Sequence, residues 1–256
     1  MGVKYKIFTD GGISQKKSIS CGGAFLLEEY DNTAVVKSAA VKICENSTNN
    51  EAELFGIFKG LELVEGNNLV PYTLYSDSEY SIKSITEWVF NWFKSYTCKR
   101  ENSIIIPKMM TGGNTEVKNC ELICMIINLI VEKQINIRFR HVKGHINPES
   151  DRELLVQSVY YRKANKEDID LEIAKNLSRC NEMIDSICSY HIERYLSGVY
   201  DNIPKKEITP TGLFYSGLTS IDIRKSYRWS ENERYNKYFM LNKAIMNEYT
   251  RLIGGN

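Results

Sequence analysis

The sequence predicts an α/β fold in which a mixed sheet is flanked by helices. Apolar and β-branched residues alternate in three segments, about 3–10, 21–30 and 33–44, whose short connections fit an antiparallel meander. A helix-period run over about 49–65 then precedes another strand-like segment over 72–77. Because strand–helix–strand units form right-handed parallel crossovers, we expect the strand at 72–77 to lie beside the first strand.

The composition is that of an ordinary globular protein of 256 residues with a net charge of +1. Any affinity for nucleic acid must therefore come from a local basic patch. The seven cysteines lie mostly in apolar runs, so we expect buried, reduced thiols rather than disulfides or zinc ligands. No apolar run reaches the roughly 18 residues of a membrane span, and no signal sequence is recognised. We expect an intracellular protein, cytoplasmic or nuclear, without a membrane partner.

Three acidic side chains are predicted to meet at one edge of the sheet. Asp10 follows the first strand and precedes Gly11-Gly12, which we interpret as a turn, and Asp77 ends the strand at 72–77. Glu53 lies in the first turn of the helix between them, where the alternative interpretation is a helix cap. Since ligands bind at strand ends in α/β sheets and Mg²⁺ prefers carboxylate oxygens, the sequence predicts a divalent metal site.

The remaining chain is predicted to contain helices and one further strand. The segment 95–116 is expected to be an exposed basic excursion or a solvated loop, and the strand covers about 135–142. A linker and then an aromatic and basic stretch are expected beyond residue 201, and this tail could stack on nucleic acid, cover the active-site face, dock a partner or pack onto the domain. Helices are predicted over about 79–94, 117–132, 149–163, 166–178 and 181–197.

Six motifs follow one another over roughly residues 1–147: Thr9-Asp10-Gly11, Thr48-Asn49-Asn50 with Glu53-Leu54, Ser76-Asp77-Ser78 with Tyr80, Ile85-Thr86-Glu87-Trp88 with Asn91-Trp92, Val117-Lys118-Asn119, and Val142-Lys143-Gly144-His145. Together they resemble type 1 ribonuclease H in its bacterial-type form with a basic protrusion. The resemblance implies a five-stranded mixed sheet flanked by helices. It also implies an endonuclease that hydrolyses the RNA strand of RNA–DNA hybrids and leaves 5′-phosphate ends.

The same resemblance implies two Mg²⁺ ions, with Mn²⁺ able to substitute, held by Asp10, Glu53, Asp77 and a fourth carboxylate. The family places that carboxylate four residues after an asparagine, and Asn181 and Asp185 have this spacing. We therefore predict Asp185.

The distance from His145 to Asp185 is longer than the family usually shows, so Asp151 stays the alternative, with Asp168 and Asp170 weaker. His145 itself is expected to be the mobile family histidine that helps proton movement and product release. We divide the chain into a catalytic domain over 1–198, with a helical insertion over about 149–180, and an extension of unknown role over 199–256. Because Asp10 lies so near the first residue, no separate hybrid-binding module is expected before it.

The same resemblance implies recognition of the hybrid on both strands. Asn49 and Asn50 are expected to contact the hybrid beside the cut, because short amides suit the 2′-hydroxyl, although either could cap the helix. Cationic contacts to phosphate supply affinity that does not depend on sequence. The residues expected to hold the DNA strand are Trp88, Trp92, Lys94, Lys99, Arg100 and Lys118, with plain core packing as the alternative for each tryptophan.

Two other functions stay open from the sequence. One is a non-catalytic nucleic-acid-binding module on the same fold, against which the intact acidic residues argue. The other is a related nuclease acting on structured DNA or RNA. Protein partners are not predicted.

Overall fold

The computed structural model describes residues 3–14, 18–30, 33–66, 70–101, 104–198, 218–224 and 240–254, with side chains except at 33, 100, 101, 104 and 218–224. The strands are β1 (Lys4–Ser14), β2 (Ile19–Tyr30), β3 (Thr33–Glu45), β4 (Tyr72–Ser76), β5 (Thr97–Glu101), β6 (Ile104–Lys108), β7 (Ile137–His141) and β8 (Leu218–Arg224). The helices are α1 (Asn49–Glu62), α2 (Glu79–Lys83), α3 (Val89–Trp92), α4 (Cys120–Glu132), α5 (Asp151–Asn165), α6 (Leu171–Leu196) and α7 (Lys243–Leu252), with a π-helical segment at Ser84–Trp88 joining α2 to α3.

The central sheet has the strand order β7-β4-β1-β2-β3-β8. Strands β1, β2 and β3 form the predicted antiparallel meander, and β4 lies parallel to β1 with β7 parallel to β4. The predicted five-stranded mixed sheet flanked by helices is therefore confirmed. A sixth strand, β8 of the C-terminal extension, adds to it in parallel with β3.

Two apolar cores lie on opposite faces of this sheet. On one face Ile7 and Leu74 pack with the buried sides of α1, α4 and α7. On the other, Phe8 and Phe25 pack with α6 and with Tyr161 of α5. Successive residues of β1 point to opposite faces, so one strand anchors both layers. None of the helices among the described residues is both long and apolar enough to cross a membrane.

The glycine pair at 11 and 12 is not a turn, contrary to the prediction. β1 continues through it to Ser14 and pairs with β2 along its whole length, with Gly11 opposite Gly22. A Cβ atom on Gly11 would lie 2.3 Å from the backbone nitrogen of Glu53. Glycine is therefore needed because α1 approaches the strand closely, and Asp10 lies within the strand rather than at its end.

Two other segments differ from the predictions. The basic excursion contains an antiparallel hairpin of β5 and β6. This hairpin was not predicted, because the apolar run of β6 ends on a proline. The predicted helices over 166–178 and 181–197 are one helix, α6, of 26 residues. No glycine or proline interrupts it, so nothing ends the first predicted helix.

The last described segment, 240–254, packs onto the catalytic core. Met246, Tyr249 and Leu252 of α7 are buried, and the Tyr249 hydroxyl donates to the carbonyl of Ile85 at 2.7 Å. The amide of Leu241 donates to the Tyr96 hydroxyl, and the Asn128 side chain donates to the Met240 carbonyl. Packing is thus the observed arrangement for this part of the tail, while most of the aromatic and basic stretch expected before it lies outside the described residues.

Candidate active site

Three carboxylates from separate elements meet at the carboxyl end of β4. Asp10 lies in β1, Glu53 in the first turns of α1, and Asp77 directly after β4. Their ligand atoms all lie within 4.8 Å of one another. The crossover that places β4 beside β1 brings Asp77 to Asp10, and the close packing of α1 brings Glu53 to both.

A second glycine allows the loop after β7 to reach the same place. A Cβ atom on Gly144 would lie 2.3 Å from Oδ2 of Asp77, so a larger residue would displace either the carboxylate or the loop. Gly11 likewise allows α1, which carries Glu53, to approach β1 closely. Both glycines belong to the motifs identified in the sequence, and their role is close approach rather than turning.

Burial and mutual repulsion raise the pKa of two of these acids. Burial, followed by the charge of Asp77, raises the pKa of Asp10 to about 8. Burial, followed by the charges of Asp10 and Asp77, raises the pKa of Glu53 well above its usual range. Like charges that share a buried site disfavour ionisation. Ionising the metal-free cluster is therefore unfavourable, and a positive charge among these oxygens would relieve the repulsion.

The donor set fits a hard divalent cation. Among the described residues, Oε2 of Glu53 is buried and has no hydrogen-bond partner, and a buried oxygen of this kind is suited to a ligand. The amide of Gly11 donates to Oδ1 of Asp10 at 2.7 Å, which leaves its other oxygen for coordination. Carboxylate oxygens are the ligands that Mg²⁺ and Mn²⁺ prefer.

Asp185 and Asp151, the two candidates for the fourth carboxylate, occupy different places. Asp185 lines a pocket of about 310 Å³ beside the three acids, together with His145, Asn181 and Lys143. Its charge contributes to the raised pKa of Asp10. Asp151 is exposed at the first position of α5. Asn181 and Asp185 lie one turn apart on α6, so the buried face of that helix carries both toward the site.

Asn181 takes part in the site through a hydrogen bond. Its side-chain nitrogen donates to Oδ2 of Asp77 at 3.2 Å, and the residue is buried. The sequence marked Asn181 only as a spacing partner of Asp185. Its contact with Asp77 depends on how α6 packs across the sheet, which periodicity does not reveal.

His141, the last residue of β7, and His145, in the loop after it, differ in exposure. His145 is exposed at the rim of the pocket in a left-handed conformation with φ of 55°. His141 is buried, but its ring also has a polar contact, because Nε2 lies 3.0 Å from the Asp77 carbonyl. The strand alternation indicated the burial and gave no sign of that contact.

The predicted nucleic-acid contacts lie on exposed or half-buried positions. Asn49 and Asn50 are exposed at the start of α1, with Asn49 one helical turn before Glu53. Trp88 is 36% exposed, whereas Trp92 is half-buried against the core with its ring 5.7 Å from that of Trp88. Lys94, Lys99 and Lys118 are exposed, and the side chain of Arg100 lies outside the described residues.

Comparison with known proteins agrees with this architecture. The model of the RNase H family matches residues 3–153, ending just inside α5. A Ribonuclease H from Ruthia magnifica is 32% identical over 143 residues, covering 56% of this chain and 84% of that protein. A Ribonuclease H from Pseudomonas savastanoi is 29% identical over 153 residues, covering 59% and 89%. The crystal structure of LC9-RNase H1 has a TM-score of 0.44 at 14% identity and covers 67% of this chain and 80% of that chain.

The chain therefore belongs to the RNase H family. Its activity is that of a ribonuclease H, an endonuclease that hydrolyses the RNA strand of RNA–DNA hybrids.

Proposed function

We propose that this ribonuclease H works by a two-metal-ion mechanism in which Asp10, Glu53, Asp77 and Asp185 hold two Mg²⁺ ions. The observation that carries the proposal is the convergence of three carboxylates within 4.8 Å, against the repulsion that raises two of their pKa values. When bound, two such ions activate a water molecule and stabilise the leaving oxygen of the RNA strand. Mn²⁺ has similar ligand preferences and would substitute.

The chain's own residues supply a rigid carboxylate frame. Asp10 is fixed by its strand and by the Gly11 amide, and Asp77 by the side chain of Asn181. His145 is exposed at the pocket rim, where it can move a proton and assist release of the 5′-phosphate product. The catalytic unit is then residues 1–198, with α5 and the first part of α6 as its helical insertion.

Contacts to the hybrid are assigned to both of its strands. The exposure of the Asn49 and Asn50 amides at the start of α1, on the same helix as Glu53, supports a role in reading the 2′-hydroxyls of the RNA strand. Trp88 offers a partly exposed ring for the DNA strand. The half-buried Trp92 is also assigned to the DNA strand. The side chains assigned to the phosphates of that strand are Lys94, Lys99, Arg100 and Lys118.

The test is cleavage of four labelled substrates: an RNA–DNA hybrid, an RNA duplex, a DNA duplex and a branched DNA. With Mg²⁺ we expect the hybrid alone to be cut, in its RNA strand, and end analysis to show 5′-phosphate and 3′-hydroxyl groups. EDTA is expected to stop the reaction. Preferential cutting of the branched DNA would identify a nuclease for structured nucleic acid instead, and binding of hybrid without cutting would identify a non-catalytic module.

A further inference from the structure

His141 lies between the third carboxylate and helix α5. Its Nε2 is 3.0 Å from the backbone oxygen of Asp77, and its Nδ1 is 3.0 Å from the Tyr160 hydroxyl. A carbonyl can only accept, so Nε2 carries the hydrogen that it donates to Asp77. The Tyr160 hydroxyl lies close to both ring nitrogens, since it is also 3.3 Å from Nε2. The Asp77 carbonyl selects the tautomer, and the two contacts together hold the ring in one orientation.

Helix α5 is attached to this part of the chain at three further points. The Asn165 side chain accepts from the amide of His141 and donates to its carbonyl, both at 2.8 Å. Oε1 of the buried Gln157 accepts from the amide of Lys143 at 3.0 Å. The carboxylate of Glu153 accepts from the amide of Asn147 at 2.8 Å. Side chains of one helix thus hold the end of β7 and the loop that carries His145.

These contacts form a continuous path from α5 to the proposed metal ligand. Tyr160, Gln157 and Asn165 all lie after residue 153, beyond the part of the chain that matches the RNase H family. Groups that hydrogen-bond around metal ligands tune affinity by fixing their orientation. If α5 had a purely structural role, packing contacts such as that of Tyr161 would be sufficient. The contact of Tyr160 with the His141 ring, which in turn contacts Asp77, goes beyond packing.

We infer that α5 positions Asp77 for metal binding, and that Tyr160 is a positioning residue acting through His141. This inference rests on the proposed role of Asp77 as a metal ligand. Tyr160 does not touch the reacting atoms. Loss of its hydroxyl leaves the His141 ring free to turn, so the Asp77 backbone is held less firmly and metal affinity falls.

The test compares Tyr160→Phe with Tyr161→Phe. The Tyr161 hydroxyl contacts Glu167 at 3.4 Å and not His141, so its removal is a matched control on the same helix. Mn²⁺ is titrated calorimetrically into each metal-free protein, and melting in EDTA and hybrid kinetics are measured in parallel. We expect Tyr160→Phe to weaken Mn²⁺ binding about 3- to 10-fold, with kcat at low metal reduced and KM for the hybrid unchanged. Tyr161→Phe is expected to bind Mn²⁺ like the natural chain.

A second variant separates positioning from general destabilisation. His141→Phe keeps a planar aromatic ring and removes both nitrogens, so we expect it to weaken Mn²⁺ binding at least as much as Tyr160→Phe. Because the hydroxyl acts through that ring, adding Tyr160→Phe to His141→Phe is expected to cause no further loss of affinity. Natural Mn²⁺ affinity in Tyr160→Phe, equal losses in both tyrosine variants, or additive losses in the double variant would overturn the inference.

Asp77→Asn distinguishes this failure from failure of the proposed function. Loss of Mn²⁺ binding in Asp77→Asn supports the role of Asp77 on which the inference rests. Undiminished Mn²⁺ affinity in Asp77→Asn would overturn the proposed metal site itself, and the positioning role with it.

Discussion

Asp10 is a buried acid kept among other acids, and this has a consequence for stability. Its pKa is raised from an ordinary 3.8 to about 8 by burial and by the charge of Asp77. Between these values the unfolded chain has lost the proton that the folded chain retains. Raising the pH therefore favours unfolding of the metal-free protein through this range. A bound divalent ion reverses the effect, since it binds the folded state.

The substitution Asp10→Asn is expected to abolish cleavage and to stabilise the metal-free protein. Asparagine is neutral without taking up a proton on folding, so we expect the free energy of unfolding in EDTA at pH 7 to rise by about 1–3 kcal/mol. The gain should shrink toward pH 4. Urea denaturation of both proteins from pH 4 to 8 measures this difference. Other titrating groups, such as His191, whose pKa is lowered to about 4 by burial, contribute equally to both proteins and cancel in the difference. A gain that does not change with pH would contradict the electrostatic explanation.

The fourth carboxylate is tested by a pair of substitutions. Because Asp185 faces the pocket and Asp151 is exposed on α5, we expect Asp185→Asn to reduce the single-turnover cleavage rate at least about 100-fold and Asp151→Asn to reduce it less than about two-fold. Single-turnover cleavage of a labelled hybrid in excess Mg²⁺ gives both values. The reverse order would assign the role to Asp151.

At the residue scale, the motifs in the sequence identified candidate site residues that apolar spacing alone does not identify. Asp10, Glu53 and Asp77 were identified because they end or begin predicted elements within motifs. His141 and Tyr160 were not, because their contact depends on how α5 packs against β7, and no periodicity encodes the angle of that helix. Gly11 was recognised as special for the wrong reason, since a close helix and a turn both require glycine.

At the scale of elements, α7 supports the helix that carries Trp88. The segment Ser84–Trp88 is π-helical, and the carbonyl of Ile85 within it accepts from the buried Tyr249 hydroxyl. Segments of this kind depart from regular α-helical bonding and often lie near functional sites. Helix α7 therefore contributes a hydrogen bond at the irregular segment Ser84–Trp88.

Tyr249→Phe is expected to lower the free energy of unfolding by about 1–2 kcal/mol, because the buried carbonyl of Ile85 loses its donor. The cleavage rate of the folded variant at saturating hybrid should be unchanged, since the carboxylates lie on other elements. Denaturation in urea is the measurement, with Tyr190→Phe as a control because Tyr190 is 39% exposed. Equal stability of the two variants would contradict the proposed contribution of this bond.

Elements were predictable where periodicity was strong. The strands of the meander, α1 and α4 were located within a few residues, since apolar spacing and capping agree there. The hairpin of β5 and β6, strand β8 and helix α7 were not predicted. They are short or lie in a polar part of the chain, and they form because neighbours in the fold offer a partner.

The whole molecule has a net charge of +1, so its attraction to a hybrid must be local. We propose that the exposed lysines near the hairpin and the start of α4 provide the positive surface that contacts the hybrid. Such contacts act by displacing cations from phosphate, and their effect weakens as salt rises.

Lys118→Ala is expected to weaken hybrid binding and to reduce the slope of log K against log salt by about 1. Binding is measured with the inactive Asp77→Asn protein at several KCl concentrations. Lys4→Ala serves as the control, because Lys4 is exposed at the far end of β1 from Asp10. An unchanged slope would remove Lys118 from the interface.

Cleavage of a labelled RNA–DNA hybrid by the natural chain and by Glu53→Gln, across a Mg²⁺ titration, is the decisive measurement. Glutamine keeps the size of Glu53 and removes its charge, so the folded variant retains hybrid binding while losing the proposed ligand. We expect cutting by the natural chain to require Mg²⁺ and to be lost in Glu53→Gln at every metal concentration tested. Cleavage by Glu53→Gln at the natural rate, or cutting by the natural chain in EDTA, would contradict the two-metal site.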